Sequence, residues 1–248
     1  MGIISQSRRS LWGCVSVAVI SMFVLVDNAQ AVSMLRLSSS QGGSVTVTDQ
    51  GANDDNSNVG VTEFDGSLTG WNVNITTGIT HPVLGSSLSP EFDLNSVNVS
   101  QSAGTLTIAF TETDFGNSSA FAGGGGFFAA IGGTTVGTVS YQTYLDSANT
   151  PFAQTTLLGN VGPFGTNAFS GTDSGSFAGL NAPFSLTSVV TITHSGAGIS
   201  SFDANRSLTG TPGGAPVPEP SSMLLLGSGL LGLGYWRWNK KKETATKE

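Results

Sequence analysis

Three times along the chain an acidic residue is followed two places later by another: Glu63-Phe64-Asp65, Glu91-Phe92-Asp93 and Glu112-Thr113-Asp114. On an extended strand residues i and i+2 share a face, with side chains about 7 Å apart. Carboxylates paired at that spacing could coordinate calcium, which takes clustered hard oxygens. They could also flank a glycosidic bond as general acid and nucleophile or base. The residue between them points the other way, so Phe64 and Phe92 are expected in the core and the acids on a solvated outer face. The densest run of oxygen ligands is Asp49-Gln50-Gly51-Ala52-Asn53-Asp54-Asp55-Asn56. It lacks the glutamate that closes an EF-hand loop. Asp49, Asp54 and Asp55 therefore stand as calcium candidates within a polar loop, and calcium is the one cofactor the sequence suggests.

Nucleophilic chemistry has little to work with. His81 precedes Pro82, His194 ends the run TITH, and no serine sits in G-x-S-x-G. Neither a GK[ST] phosphate loop nor a G-x-G-x-x-G fingerprint between a strand and a helix is present. His194 shares the parity of Ile192 and is expected as a hydrogen-bonded, partly buried residue at a strand end. Nothing here demands an enzyme. Between Val32 and Pro216 the only cations are Arg36 and Arg206, against twelve acids, a formal balance of −10. Such a body repels polyphosphates, which excludes nucleic acid as a partner, and it is equally ill suited to an anionic membrane surface.

The elements that must position these residues alternate apolar and polar side chains at period two. Val45 and Val47 do so in GSVTVTD, Trp71, Val73 and Ile75 in GWNVNITT, and Leu106, Ile108 and Phe110 in GTLTIAF. Phe184, Leu186, Val190 and Ile192 repeat the pattern in FSLTSVVTITH. Bounded by Gly, Asn and Asp, these runs predict half-buried antiparallel strands. A sheet with one apolar face must cover it, so the expected fold is all-β: an antiparallel β-sandwich of jelly-roll type over residues 32–209, with a closed barrel as the alternative. In DLNSVNVS the apolar parity slips between Leu94 and Val97, which a β-bulge would repair. The four glycines between Phe121 and Phe127 predict a mobile loop with aromatic ends.

Both ends carry addresses. Arg8 and Arg9 precede an apolar run from Leu11 to Val26, and Ala29-Gln30-Ala31 places small residues where signal peptidase reads them. Residues 1–31 are thus expected to be a signal peptide cleaved after Ala31, with Ala29 and Ala31 as the recognised positions. Cys14, the only cysteine, leaves with it, so the mature chain can form no disulfide. At the other end a Gly/Pro linker, 210–216, leads to Val217-Pro218-Glu219-Pro220, an apolar stretch and a basic cluster. As a helix, residues 221–238 reach about 27 Å at ~1.5 Å per residue, a little short of the ~30 Å hydrocarbon core. Tyr235, Trp236 and Trp238 suit a membrane interface, and Arg237 with Lys240, Lys241 and Lys242 would hold that end in the cytoplasm, leaving 243–248 as a cytoplasmic tail.

Residues 217–242 resemble the PEP-CTERM sorting signal of bacterial exosortase substrates. The resemblance implies a protein held transiently in the inner membrane with its body in the periplasm. It makes Pro218, Glu219 and Pro220 the residues that exosortase recognises, and Arg237, Lys240, Lys241 and Lys242 the stop-transfer cluster. The stretches SPEFDLNSVNVSQSAGTLTIAFTETDF and VTITHSGAGISSFDA are similar to sandwich-like bodies of other PEP-CTERM proteins. That family is associated with Gram-negative bacteria that make exopolysaccharide, which implies the outer surface or extracellular matrix as destination. The role expected is that of a structural or interaction protein. A calcium-dependent exopolysaccharide-binding module is the alternative, for which Trp71, Tyr141 and Tyr144 are the body's candidate stacking aromatics, and a surface glycosidase comes third.

Overall fold

The computed structural model describes residues 31–116, 119–165, 167–180 and 183–212, and these contain thirteen strands and no helix. In chain order they are β1 (Ser33–Ser39), β2 (Ser44–Thr48), β3 (Val61–Leu68), β4 (Trp71–Ile79), β5 (Gly85–Ser86), β6 (Ser89–Ser100) and β7 (Gly104–Phe115). There follow β8 (Gly125–Thr135), β9 (Thr138–Asp146), β10 (Thr156–Phe164), β11 (Asn167–Phe177), β12 (Phe184–His194) and β13 (Gly198–Gly210). All strand pairs are antiparallel. They make two sheets rather than a closed barrel: a first with the order β10-β9-β12-β7-β1-β2 and a second with the order β11-β8-β13-β6-β4-β3, the short β5 lying beside β6. The strands of β6-β7, β8-β9, β10-β11 and β12-β13 each fall in opposite sheets, so the chain repeatedly crosses from one layer to the other.

Period-two alternation produces this arrangement. The central strands of each sheet bury one face, and the two buried faces share one core. Leu35 and Leu37 from β1, Leu106, Ile108 and Phe110 from β7, and Leu186, Val190 and Ile192 from β12 meet Trp71, Val73, Phe92, Leu94, Phe202 and Ala204 from the second sheet. Fully burying each large apolar side chain contributes about 1.5–3 kcal/mol. The phenylalanines form a chain across the layers: Phe92 lies 4.9 Å from Phe110 and 5.8 Å from Phe115, which lies 6.1 Å from Phe184, itself 5.1 Å from Phe121. Gly78, on the inner face of β4, makes room for this chain, since a Cβ there would come within 2.5 Å of the Phe110 ring.

Two expectations are corrected by the strands themselves. β6 itself carries no bulge, its pairing with β13 being unbroken from Glu91 to Ser100; the register shift at this point falls on its other neighbour β4, between Asn74 and Thr76, opposite Val97 and Ser96. Instead Ser96 and Asn98 occupy inward positions while Val97 faces solvent. Ser96 is tolerated there because its Oγ bonds Thr76 Oγ1 at 2.5 Å and Asn98 Oδ1 at 3.0 Å, whereas Asn98 Nδ2 is buried without a partner. The glycine run is only half a loop. Gly125 and Gly126 already belong to β8, Gly124 takes φ +89°, and a Cβ on Gly125 would collide with the Thr209 carbonyl. Glycine here permits close strand approach rather than mobility. At the far end β13 runs through Gly210, and Thr211 exchanges bonds with Gly123 (2.9 Å) and Gly124 (2.8 Å), so the body extends past the boundary expected at residue 209. No helix among the described residues is long and apolar enough to cross a membrane, and residues 213–248 lie outside them.

Candidate functional site

The two outer faces are treated differently. On the first sheet Thr111 and Thr113 of β7 and Ser185 and Thr187 of β12 point outward yet are buried. The segment 147–155 that follows β9 lies over them. Phe152 N–H donates to Thr111 Oγ1 (3.2 Å), Ser185 Oγ donates to the Thr150 carbonyl (2.7 Å), and Asp114 N–H donates to Asn149 Oδ1 (2.8 Å). Arg36 closes the flap, its guanidinium 3.8 Å from the centre of the Phe152 ring.

The second sheet's outer face is open. Its outward positions are Asn72 and Asn74 on β4, Glu91, Asp93, Asn95 and Val97 on β6, Ser201, Asp203 and Asn205 on β13, Ala130 and Gly132 on β8, and Ser170 and Thr172 on β11. Across these strands run three adjoining depressions of about 570, 530 and 380 Å³, and Asp203 borders all three. Asn74, Asn95, Asp203 and Asn205 line them together with Gly132 and the apolar Val97. Asp93 lies diagonally across from Asp203. Burial, the negative charge of Asp203 and a hydrogen bond with it all push the Asp93 carboxyl above its ordinary range. The Asp93 carboxyl therefore holds its proton more tightly than a free aspartate would, and its buried Oδ1 has no partner within the protein.

Of the three E-x-D pairs, Glu91 and Asp93 lie on this face with Phe92 fully buried behind them, as the spacing predicts. Glu63 and Asp65 flank the half-buried Phe64, which packs on the core. The third pair departs from the expectation. Glu112 has no exposed surface, and burial drives its carboxyl up to about 8, partly opposed by a Thr80 hydroxyl bond and the charge of Arg206, and reinforced by Asp49 and Asp114. Its Oε1 has no partner. The reason is parity: Glu112 continues the inward series Leu106, Ile108, Phe110. Arg206 likewise continues Phe202 and Ala204 inward. Its Nη1 crosses the core to donate to the carbonyls of Tyr144 (3.1 Å) and Thr187 (3.3 Å), and its guanidinium sits 4.2 Å from the Phe92 ring centre. Burial lowers it to about 10.

The candidate calcium residues spend side-chain oxygens on backbone amides. Asp54 Oδ1 accepts from Glu63 N–H (2.9 Å) and Asn56 N–H (3.1 Å), and its Oδ2 accepts from Gln50 N–H (2.9 Å). Asp55 Oδ2 accepts from Asp65 N–H (2.9 Å), and Asp49 Oδ2 accepts from Gly60 N–H (2.8 Å). Asp49 Oδ1 is buried without a partner. Among the described residues no three His, Cys, Asp or Glu side chains converge to hold a metal ion.

His194 is buried and bonded through both ring nitrogens, Nδ1 to Ser100 Oγ (2.6 Å) and Nε2 to Ser200 Oγ (2.7 Å), with the Trp71 ring tilted against it at 4.9 Å. A serine occupies the place a triad's carboxylate would take, and burial pushes the imidazole below its ordinary value. Trp71 and Tyr141 are also fully buried and so offer no stacking platform to a ligand. Ala29, Pro218, Glu219, Pro220, Arg237, Lys240, Lys241 and Lys242 lie outside the described residues, and Ala31 opens them.

The comparisons address that C-terminal stretch directly. The family described as the PEP-CTERM protein-sorting motif matches residues 216–241. The chain carries a PEP-CTERM sorting motif. The match begins one residue before Val217 and ends inside the lysine cluster, and the motif marks a protein sorted by exosortase. No curated protein matches the chain. Among solved structures it is similar to the K1 cleaved adhesin domain of Lys-gingipain from Porphyromonas gingivalis W83, at 8% identity and a TM-score of 0.31 over 61% of this chain and 98% of that one. It is also similar to the K3 cleaved adhesin domain of the same protein, at 8% identity and a TM-score of 0.29 over 48% and 74%. At these scores the likeness carries no argument. The PEP-CTERM protein is thus defined by its tail and by the two unlike faces of its body.

Proposed function

We propose that this PEP-CTERM protein is a non-enzymatic interaction protein of the bacterial surface or extracellular matrix. Its body is a jelly-roll-like sandwich, exported by the N-terminal signal and held in the inner membrane by the helix at 221–238 until exosortase acts near Pro218-Glu219-Pro220. The observation that carries the reading is the join of a sorting motif to a body with one outer face roofed by 147–155 and the other left open and polar. The open face combines Asn74, Asn95, Ser201, Asp203 and Asn205 around Gly132 without an exposed cation, which suits a hydroxyl-rich, uncharged polymer such as exopolysaccharide. The protein purified from the surface fraction should bind its host's exopolysaccharide, and Asp203→Ala with Asn205→Ala should abolish binding while leaving unfolding unchanged. Full binding by that double variant would remove the face from the account.

The calcium-dependent version of this reading rests on one observation, the unpartnered Asp49 Oδ1. Millimolar calcium should then raise the melting temperature by mass action, about 1.4 kcal/mol at a tenfold excess over Kd. Identical melting curves in calcium and in chelator would leave Asp49, Asp54 and Asp55 as fasteners of their loop.

A further inference from the structure

The sheets have four open-ended edges, and three of them are fitted with carboxylates. Asp54 and Asp55 accept the outward-pointing N–H groups of Glu63 and Asp65 on β3. Asp173 serves both neighbouring edges at the other side, with Oδ2 taking Asn160 N–H of β10 (2.9 Å) and Oδ1 taking Ser174 N–H of β11 (2.8 Å). The edge strand β10 also carries Pro163 and two register shifts. These are devices that stop a sheet edge from adding a foreign strand. The fourth edge, β2, has none among the described residues. Its sequence is Ser44-Val45-Thr46-Val47-Thr48, with no charge, no proline and no bulge in its pairing with β1. Ser39 N–H bonds the Gly43 carbonyl (3.1 Å) and Asp49 N–H bonds the Ser33 carbonyl (3.0 Å). By alternation Val45 and Val47 also spend their backbone groups on β1, and those of Ser44, Thr46 and Thr48 point away from it. Ser44 and Thr46 are exposed, and of these carbonyls Thr48's is taken by Gly51 N–H (2.7 Å).

We propose that β2 is a homotypic docking edge, through which two copies of this chain pair antiparallel about Thr46. The sequence is complementary to itself in that register: Thr46 meets Thr46 of the second copy, Ser44 meets Thr48, and Val45 meets Val47. Hydroxyl pairs then line the outer face of the seam, a cross-strand match that stabilises antiparallel pairing, while Val47 stays fully buried in its own core with Val45 half-buried beside it. Charge selects the partner and the edge together. A body with a formal balance of −10 repels its own copies, and pairing through β3 or β11 would set Glu63, Asp65 or Asp173 against like charge, whereas β2 brings no carboxylate to the seam. The first sheets of the two copies become one continuous sheet, and the open face of each second sheet stays free, so a dimer presents two ligand faces at once. The inference stands whether or not that face binds polysaccharide.

Cysteine crosslinking tests it on the mature exported protein, whose only cysteine is then the one introduced because Cys14 leaves with the signal. A bonded antiparallel pair holds its Cα atoms about 5.5 Å apart, within disulfide range. Thr46→Cys is expected to give a disulfide-linked dimer under mild oxidation, while Ser67→Cys on the guarded β3 edge stays monomeric. Without crosslinking, sedimentation should show concentration-dependent association that Thr46→Lys removes, and Thr46→Pro should remove it too, with unchanged circular dichroism in the lysine variant confirming the fold. Equal crosslinking of the two cysteine variants, or a monomer at every soluble concentration, overturns the proposal.

Discussion

Replacing Glu112 by glutamine should stabilise the protein, and by an amount that grows with pH. The carboxyl is fully buried at the junction of β7 with β1, accepts from the Thr80 hydroxyl at Oε2, and leaves Oε1 unpartnered. Burial holds it near 8 in the folded state against 4.5 for the free side chain. An acid whose value rises on folding keeps a proton that the unfolded chain has lost, so stability falls as pH climbs from about 4.5 to about 8 and levels off beyond. At 1.36 kcal/mol per unit the ceiling on this loss is about 5 kcal/mol, and internal relaxation brings the measured figure below it. Glutamine keeps the shape and the Thr80 contact without an ionisation to suppress. Urea unfolding at a series of pH values, with m held common, should give curves for wild type and Glu112→Gln that meet near pH 4.5 and separate by several kcal/mol at pH 8. Parallel curves would refute the reasoning, because they would mean that Glu112 ionises inside the core without cost.

Other outcomes follow from the same geometry. Asp203→Asn removes the charge that raises Asp93, so the Asp93 carboxyl should titrate lower by NMR, though still above its ordinary value because burial remains. Asp54→Ala strips three backbone donors of their acceptor and should cost about 1–3 kcal/mol in urea, largely independent of calcium. His194 stays neutral in the fold while the unfolded imidazole protonates, so its contribution is present above about 6.5 and fades as pH falls below; His194→Phe should flatten that acid limb while losing the Ser100 and Ser200 bonds. Gly78→Ala should lower the melting temperature, since the new methyl meets the Phe110 ring at 2.5 Å.

Much of the fold was legible because alternation is a strong signal. The runs around Leu106, Ile108 and Phe110 and around Leu186, Val190 and Ile192 became β7 and β12 with the expected faces inward. The same rule carried further would have found Glu112 and Arg206 in the core, since both continue an inward series; a charged residue simply overrode the parity in the reading. Ser96 and Asn98 show the converse. Their polarity suggested a slip of register, when the Thr76 hydroxyl of the neighbouring β4 bonds Ser96, which in turn bonds Asn98 Oδ1. The open face was not legible at all. Asp203 and Asn205 are separated from Asp93 and Asn95 by more than a hundred residues, and only the pairing of β13 with β6 makes them neighbours. The roof at 147–155, which distinguishes the faces, has no periodic pattern to announce it. Edge protection is equally invisible in a one-dimensional reading, because Asp54 and Asp55 look like ion ligands until the β3 backbone beside them is known.

The central claim is that this body is exported and sorted through its PEP-CTERM tail to the cell exterior. Intact mass of the protein recovered from the surface and matrix fractions of its native host tests it most directly. The account predicts a chain beginning at Val32 and lacking the segment from Met223 to Glu248, with Glu219→Ala accumulating as an unprocessed inner-membrane form. A surface protein that retains its full tail, or a body found only in the cytoplasm, would contradict it.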